Sequence, residues 1–191
     1  MPMLPTLDGD NIRLRQLKRS DAESLRANAN ARNVSRYLFL PYPYRLEDAF
    51  SYIAFTQRMA RRKQTYLYGV ELLETGQIIG CIGLHHIERA HRHCEVGYWL
   101  GRKHWRKGYG SEALRLILKF AFTELKMIRV QARTSTANQP SYSMLEKNGF
   151  TREGCFRHVQ YLKGHWHDYF WYGILKKEFR GLDNSGHRPH K

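Results

Sequence analysis

The chain has 191 residues, enough for one domain burying about 70% of its unfolded surface. Its 32 Lys and Arg against 17 Asp and Glu give a formal charge of +15, which attracts polyanions such as nucleotide phosphates, RNA or acidic peptides and slows the approach of a free polyamine. No apolar run nears the roughly 20 residues of a membrane span, and the N-terminus lacks a signal peptide's apolar core. These two absences make a cytoplasmic protein the expectation. Cys81, Cys94 and Cys155, an odd set without CxxC spacing, argue against a disulfide framework, and their thiols are expected as buried packing, with a thiol nucleophile as the alternative.

Residues 11–17 alternate apolar and polar side chains, which predicts a first strand. Ser20-Asp21-Ala22-Glu23 matches a capping box opening a short helix. Pro41-Tyr42-Pro43 breaks the chain. Residues 46–60 place Ala49, Phe50, Ile53 and Ala54 at helical spacing, and the basic run 58–63 suits that helix's C-terminal end. Strands at 66–73 and 78–85 flank the turn Glu74-Thr75-Gly76-Gln77. A polar connection at 86–93 leads to a strand at 95–100. Residues 111–125 are the clearest helix, with Ala113, Leu114, Ile117, Leu118 and Ala121 on one face. A strand at 129–134 follows, then a helix at 140–148 closed by Gly149. Strands at 151–161 and 166–175 form a final hairpin around Lys163-Gly164. This order predicts an α/β domain over 1–179, a mixed sheet with helices on both faces, and a polar tail over 180–191.

The stretch from Trp105 to Ala113 lies between a predicted strand and the strongest helix. A helix start presents unpaired backbone N–H groups that favour an anion. Gly108 and Gly110 let the backbone approach a phosphate and take positive φ, while Arg106 and Lys107 add charge, so a pyrophosphate cradle is expected. The glycine spacing is neither a P-loop nor a Rossmann fingerprint, and a tight turn into a helix is the plainer alternative.

Four blocks, EVGYWL (95–100), WRKGYGSEAL (105–114), NQPSYSMLEKNGF (138–150) and EGCFRHVQYLKGHWHDYFWYGIL (153–175), together resemble the GNAT superfamily. They look most like its branch of Rim-type ribosomal-protein N-terminal acetyltransferases. The resemblance implies a central mixed, mostly antiparallel sheet with one splayed strand pair, and acetyl-CoA as co-substrate in the splay. It implies that Tyr98, Trp99 and Leu100 line the pantetheine arm, with Tyr98 and Trp99 also open to simple core packing. An amide near Leu100 would polarise the thioester. The loop from Trp105 through Arg106, Lys107, Gly108, Tyr109 and Gly110 to Ser111 would hold the pyrophosphate. Trp105 departs from the Gln or Arg of the superfamily motif, while Gly108 and Gly110 fall on it.

By the same resemblance, Asn138 either holds the cofactor or caps the helix behind it. The Tyr that protonates the departing thiolate in many members is Leu145 here. Ser141 matches the serine of Rim-type members, either binding the sulfur and supplying the proton or playing a structural part, with Tyr142 and Ser143 in reserve. Glu95, an acid inside an aromatic strand, is the candidate base for the amine, or else half of a cross-strand ion pair. Gln160 stands where some relatives carry Glu and cannot act as a base. Asp168 and Tyr172 are candidates for orienting the acceptor.

His85, His86, His91 and His93 lack structural-zinc spacing, the resemblance implies that they lie on a hairpin facing solvent, and His187 and His190 belong to the tail, so no metal site is expected. Three functions are compatible with the residues. The first is acetylation of a protein N-terminus of ribosomal type, with ribosome or RNA contact through the basic surface. The second is acetylation of a small amine, and the third a non-catalytic RNA- or acyl-CoA-binding module. A homodimer fits any of them.

Overall fold

Ile12, Leu14 and Leu17 are buried, while Arg13 and Arg15 between them reach the carboxylates of Asp8, Asp21 and Glu71. The alternation at 11–17 thus yields a strand, β2 (Ile12–Arg15), paired with a short β1 (Leu7–Asp8) that carries no pattern of its own. The computed structural model describes residues 4–182. Its further elements are α1 (Ala22–Ala29), α2 (Arg32–Ser35), α3 (Leu46–Arg61), β3 (Tyr66–Leu72), β4 (Ile78–Glu88), β5 (His93–Leu100), α4 (Tyr109–Thr123), β6 (Arg129–Ser135), α5 (Gln139–Lys147), β7 (Thr151–Leu162) and β8 (His165–Leu175).

The strands form one sheet in the order β1-β2-β3-β4-β5-β6-β8-β7, antiparallel throughout except for β5 beside β6. On one face, Leu114, Ile117, Leu118 and Ala121 of α4 and Leu145 of α5 pack with Tyr68, Val70, Ile82, Leu84, Val96 and Val130. On the other, Leu25 and Ala29 of α1 and Ala49 and Ile53 of α3 pack with Leu17, Ile78 and Cys81. Both faces of β3 and β4 are thereby covered, and these strands read as nearly continuous apolar runs.

Several expectations are corrected. Ser20 does not cap α1: a short 3-10 turn, Arg19–Asp21, precedes it, and buried Asp21 accepts the Lys18 N–H at 2.7 Å while pairing with Arg15. Ala54 is exposed, because the buried stripe of α3 runs through Ala49, Ile53, Thr56 and Ala60. The connection at 86–93 shrinks to a turn at 89–92, so His85, His86 and His93 lie in strands. The polar tail begins with a 3-10 turn at Arg180–Leu182, and His187 and His190 fall outside the described residues. Among the described residues no group of side chains could hold a metal ion, and no helix is long and apolar enough to cross a membrane.

Glu112 had no part in the reading of the sequence, yet it fixes α4 on the sheet. Its buried carboxylate accepts the backbone N–H of Asn11 (2.8 Å) and Ile12 (3.2 Å) and the Asn11 amide (3.0 Å).

Candidate functional site

The parallel pairing of β5 with β6 covers only His93, Cys94 and Glu95 against Arg129, Val130 and Gln131. Beyond that point β6 pairs only with β8, and β5 only with β4. A cleft therefore opens along β5 from Val96 to Leu100. The Gly101 N–H donates to Ile79 of β4 at 2.8 Å. Successive N–H groups of a strand alternate in direction, so those of Leu100 and Tyr98 point into the cleft. An extended, amide-bearing ligand can pair with that free edge as an added strand would.

The cleft leads to the start of α4. Gly108 is the N-cap, with φ 86 and no side-chain cap, so the N–H groups of Tyr109, Gly110 and Ser111 have no acceptor inside the helix. A Cβ on Gly108 would meet nothing within 4 Å, so the space before these donors is open. The glycine frees this corner for a ligand, and its left-handed backbone suits few other residues. Arg106 and Lys107 are exposed beside it. Gly110 differs from expectation: it lacks positive φ, and a Cβ there would lie 2.7 Å from the Met144 sulfur, so this glycine admits α5 against α4.

Other expected cofactor residues have structural bonds. The Trp105 indole donates to the Leu100 carbonyl at 2.7 Å and lies under the Arg102 guanidinium, tying the loop to the end of β5. The Ser111 hydroxyl accepts from Asn148 at 3.0 Å, which joins α4 to α5. Trp99 packs into the core beneath α1 and α3. Asn138 is the N-cap residue of α5, but its side chain makes no cap bond, so its amide is available to a ligand. Tyr109 packs on the main core.

The structure brings Ser141 and Tyr98 together. Their hydroxyls are 2.9 Å apart, and the Tyr98 hydroxyl also reaches the Ser141 carbonyl at 3.3 Å. Burial pushes the Tyr98 pKa far above that of free tyrosine, so it stays a neutral donor. Leu145 is buried in the core.

Glu95 is in the ion pair that was its alternative: Arg133 donates to its Oε1 at 2.9 Å. Its Oε2 makes no hydrogen bond among the described residues, and His85 is its neighbour across the strand pair. Arg133 in turn lies over the Trp171 ring, and Phe156 packs on Trp171 with centroids 4.4 Å apart. This row leads away from the cleft, and Phe156, at its far end, is 51% exposed. Asp168 and Tyr172 do not join it. Asp168 accepts the His158 N–H, and Tyr172 is fully buried with its hydroxyl on Glu146.

Cys81 and Cys94 are buried, and burial raises Cys81 strongly and pushes Cys94 up to about 12, so both stay neutral thiols packed in the core. Cys155 is exposed, contrary to expectation, because both faces of β7 are largely open to solvent.

His104, beside the loop, is 8% exposed with neither ring nitrogen bonded. Burial lowers its pKa, as it does for His85. With the unfolded value near 6.5, stability is fully present above about pH 6.5 and falls as pH drops toward the folded pKa values. Thermal melts should therefore show Tm declining from pH 7 to 5, and His104→Asn should flatten the decline. An unchanged slope would remove His104 as its source.

An opened strand edge leading to an uncapped helix start fits a long ligand with amides at one end and phosphates at the other. The family model for the acetyltransferase (GNAT) domain matches residues 11–151. The chain belongs to the GNAT family. It is 34% identical over 174 residues to the uncharacterized N-acetyltransferase YoaA of Bacillus subtilis (strain 168), covering 91% of this chain and 98% of that protein. It is 27% identical over 97 residues to the ribosomal-protein-serine acetyltransferase of Escherichia coli (strain K12), covering 51% and 54%. Mycobacterium smegmatis RimJ in complex with CoA-disulfide shares the fold, with a TM-score of 0.84, 21% identity and coverage of 93% and 90%. As a GNAT N-acetyltransferase the chain uses acetyl-CoA as acetyl donor.

Proposed function

We propose that this GNAT enzyme acetylates the α-amino group of a protein N-terminus, of the kind a ribosomal protein carries. The row Glu95–Arg133–Trp171–Phe156 carries the reading: a carboxylate at the cleft continues into an open aromatic surface that residues beyond the first can occupy. A ribosomal-protein-serine acetyltransferase among the relatives supports it. The net charge of +15 argues against a free polyamine and favours docking on ribosomal RNA through phosphate contacts.

In this reading the pantetheine arm pairs with Tyr98 and Leu100, and the diphosphate sits on the N–H groups of Tyr109 to Ser111, with Asn138 at the cleft. The Leu100 N–H polarises the thioester carbonyl. An α-amino group has a pKa near 8, so a modest base suffices. The free Oε2 of Glu95 takes the amine proton as the N–C bond forms. The C–S bond breaks, and Ser141 passes its hydroxyl proton to the thiolate while taking one from the Tyr98 hydroxyl; solvent then reprotonates Tyr98 and accepts the proton held on Glu95.

An acceptor panel tests the substrate class. Ribosomal-protein N-terminal peptides should exceed single amino-acid amides and spermidine about a hundredfold in kcat/KM. Equal rates for peptides and amides would sink the peptide assignment. Ser141→Ala should lower kcat about tenfold, at the mild end for a lost proton donor because Tyr98 remains, with KM for acetyl-CoA nearly unchanged. Glu95→Gln should lower kcat/KM for the peptide about a hundredfold, because the attacking amine loses its proton acceptor, with acetyl-CoA affinity by calorimetry unchanged.

A further inference from the structure

A cavity of about 440 Å³ lies where α4, the end of α5 and the segment around Phe179 meet. Arg115, Lys147 and Arg180 line it together with Asn148, Glu146 and Glu178. Both acids are engaged: Glu146 accepts from Arg152 and from Tyr172, each at 2.8 Å, and Glu178 accepts the Leu175 N–H at 2.9 Å. Among the described residues Arg115, Lys147 and Arg180 have no carboxylate partner. With Glu146 neutralised by Arg152, three cations face one remaining carboxylate, so the cavity attracts an anion. The C-terminal end of α5 opposes one only weakly.

The cavity shares a wall with the helix start described above. Asn148 lines it and donates to Ser111 at 3.0 Å. Arg115 is four residues beyond Ser111, about 6 Å along the axis and on the same face of the helix. That separation matches the span of one ribose between its 5′ and 3′ phosphates. We infer that the cavity is a phosphomonoester site that takes the 3′-phosphate of coenzyme A, so that the enzyme selects CoA against its 3′-dephospho form. The inference rests on the diphosphate lying at Gly108–Ser111.

The test is calorimetry of CoA and 3′-dephospho-CoA with wild type, Arg115→Ala/Lys147→Ala and Gly108→Asp. Arg115 and Lys147 are exposed, so the double variant should fold, and a thermal melt checks that it does. Wild type should prefer CoA by about tenfold or more, as expected for charge-assisted contacts to one phosphate. The double variant should lose that preference by weakening CoA while leaving 3′-dephospho-CoA unchanged. Equal affinities in wild type, or a preference that survives in the double variant, would overturn the inference. The underlying diphosphate placement fails separately, if Gly108→Asp leaves the binding of both compounds intact.

Discussion

Gly108→Asp should weaken acetyl-CoA binding at least a hundredfold, read by calorimetry. The position is the N-cap of α4, before three N–H groups with no acceptor inside the helix. A carboxylate there would occupy the anion's place and repel the diphosphate. Two unit charges about 4–5 Å apart at an effective dielectric near 20 interact by roughly 3–4 kcal/mol, enough for two orders of magnitude. The fold should survive, because nothing lies within 4 Å of the new Cβ. The left-handed φ of 86 costs strain, about 1–2 kcal/mol for a non-glycine residue and less for Asp or Asn. Gly108→Asn separates the effects: it carries the same strain and shape without the charge, and should lose far less affinity. Equal losses in both variants would mean that loop shape, not anion binding, is what the position provides. Intact binding in Gly108→Asp would remove the loop from the cofactor site.

Glu112→Ala should destabilise the protein by about 3 kcal/mol, because three N–H groups at the start of β2 lose a buried charged acceptor at once. For a chain of this size that is a fall in Tm of roughly 6–12 °C. Glu112→Gln should cost less, since its amide oxygen can still accept from the backbone while its NH2 faces the Asn11 amide. Gly9→Ala offers an independent check, as its Cβ would lie 2.4 Å from the Glu112 carboxylate oxygen. A loss below about 1 kcal/mol in Glu112→Ala would show that water replaces the carboxylate and that α4 is held by its apolar face. The consequence for function is positional, since Glu112 lies in the first turn of the helix whose start forms the proposed cradle.

The sequence determined the features that depend on near neighbours. Period-two alternation located β2, a glycine turn separated β3 from β4, and the apolar stripe of α4 marked the main helix, because each signal is written within one or two turns of chain. The motif blocks identified the family and the cofactor, and Gly108 followed from local backbone conformation. What only the tertiary structure decided lies between residues far apart in the chain. The pairing of Tyr98 with Ser141 spans 43 positions and that of Glu112 with Asn11 spans 101. The ion pair of Glu95 needed Arg133, 38 positions away, to be brought beside it. The extent of the cleft depends on where β5 and β6 stop pairing, a register that neither strand's own pattern encodes. Side-chain partners across a fold are chosen by how sheets and helices pack, and packing joins residues that no local period connects.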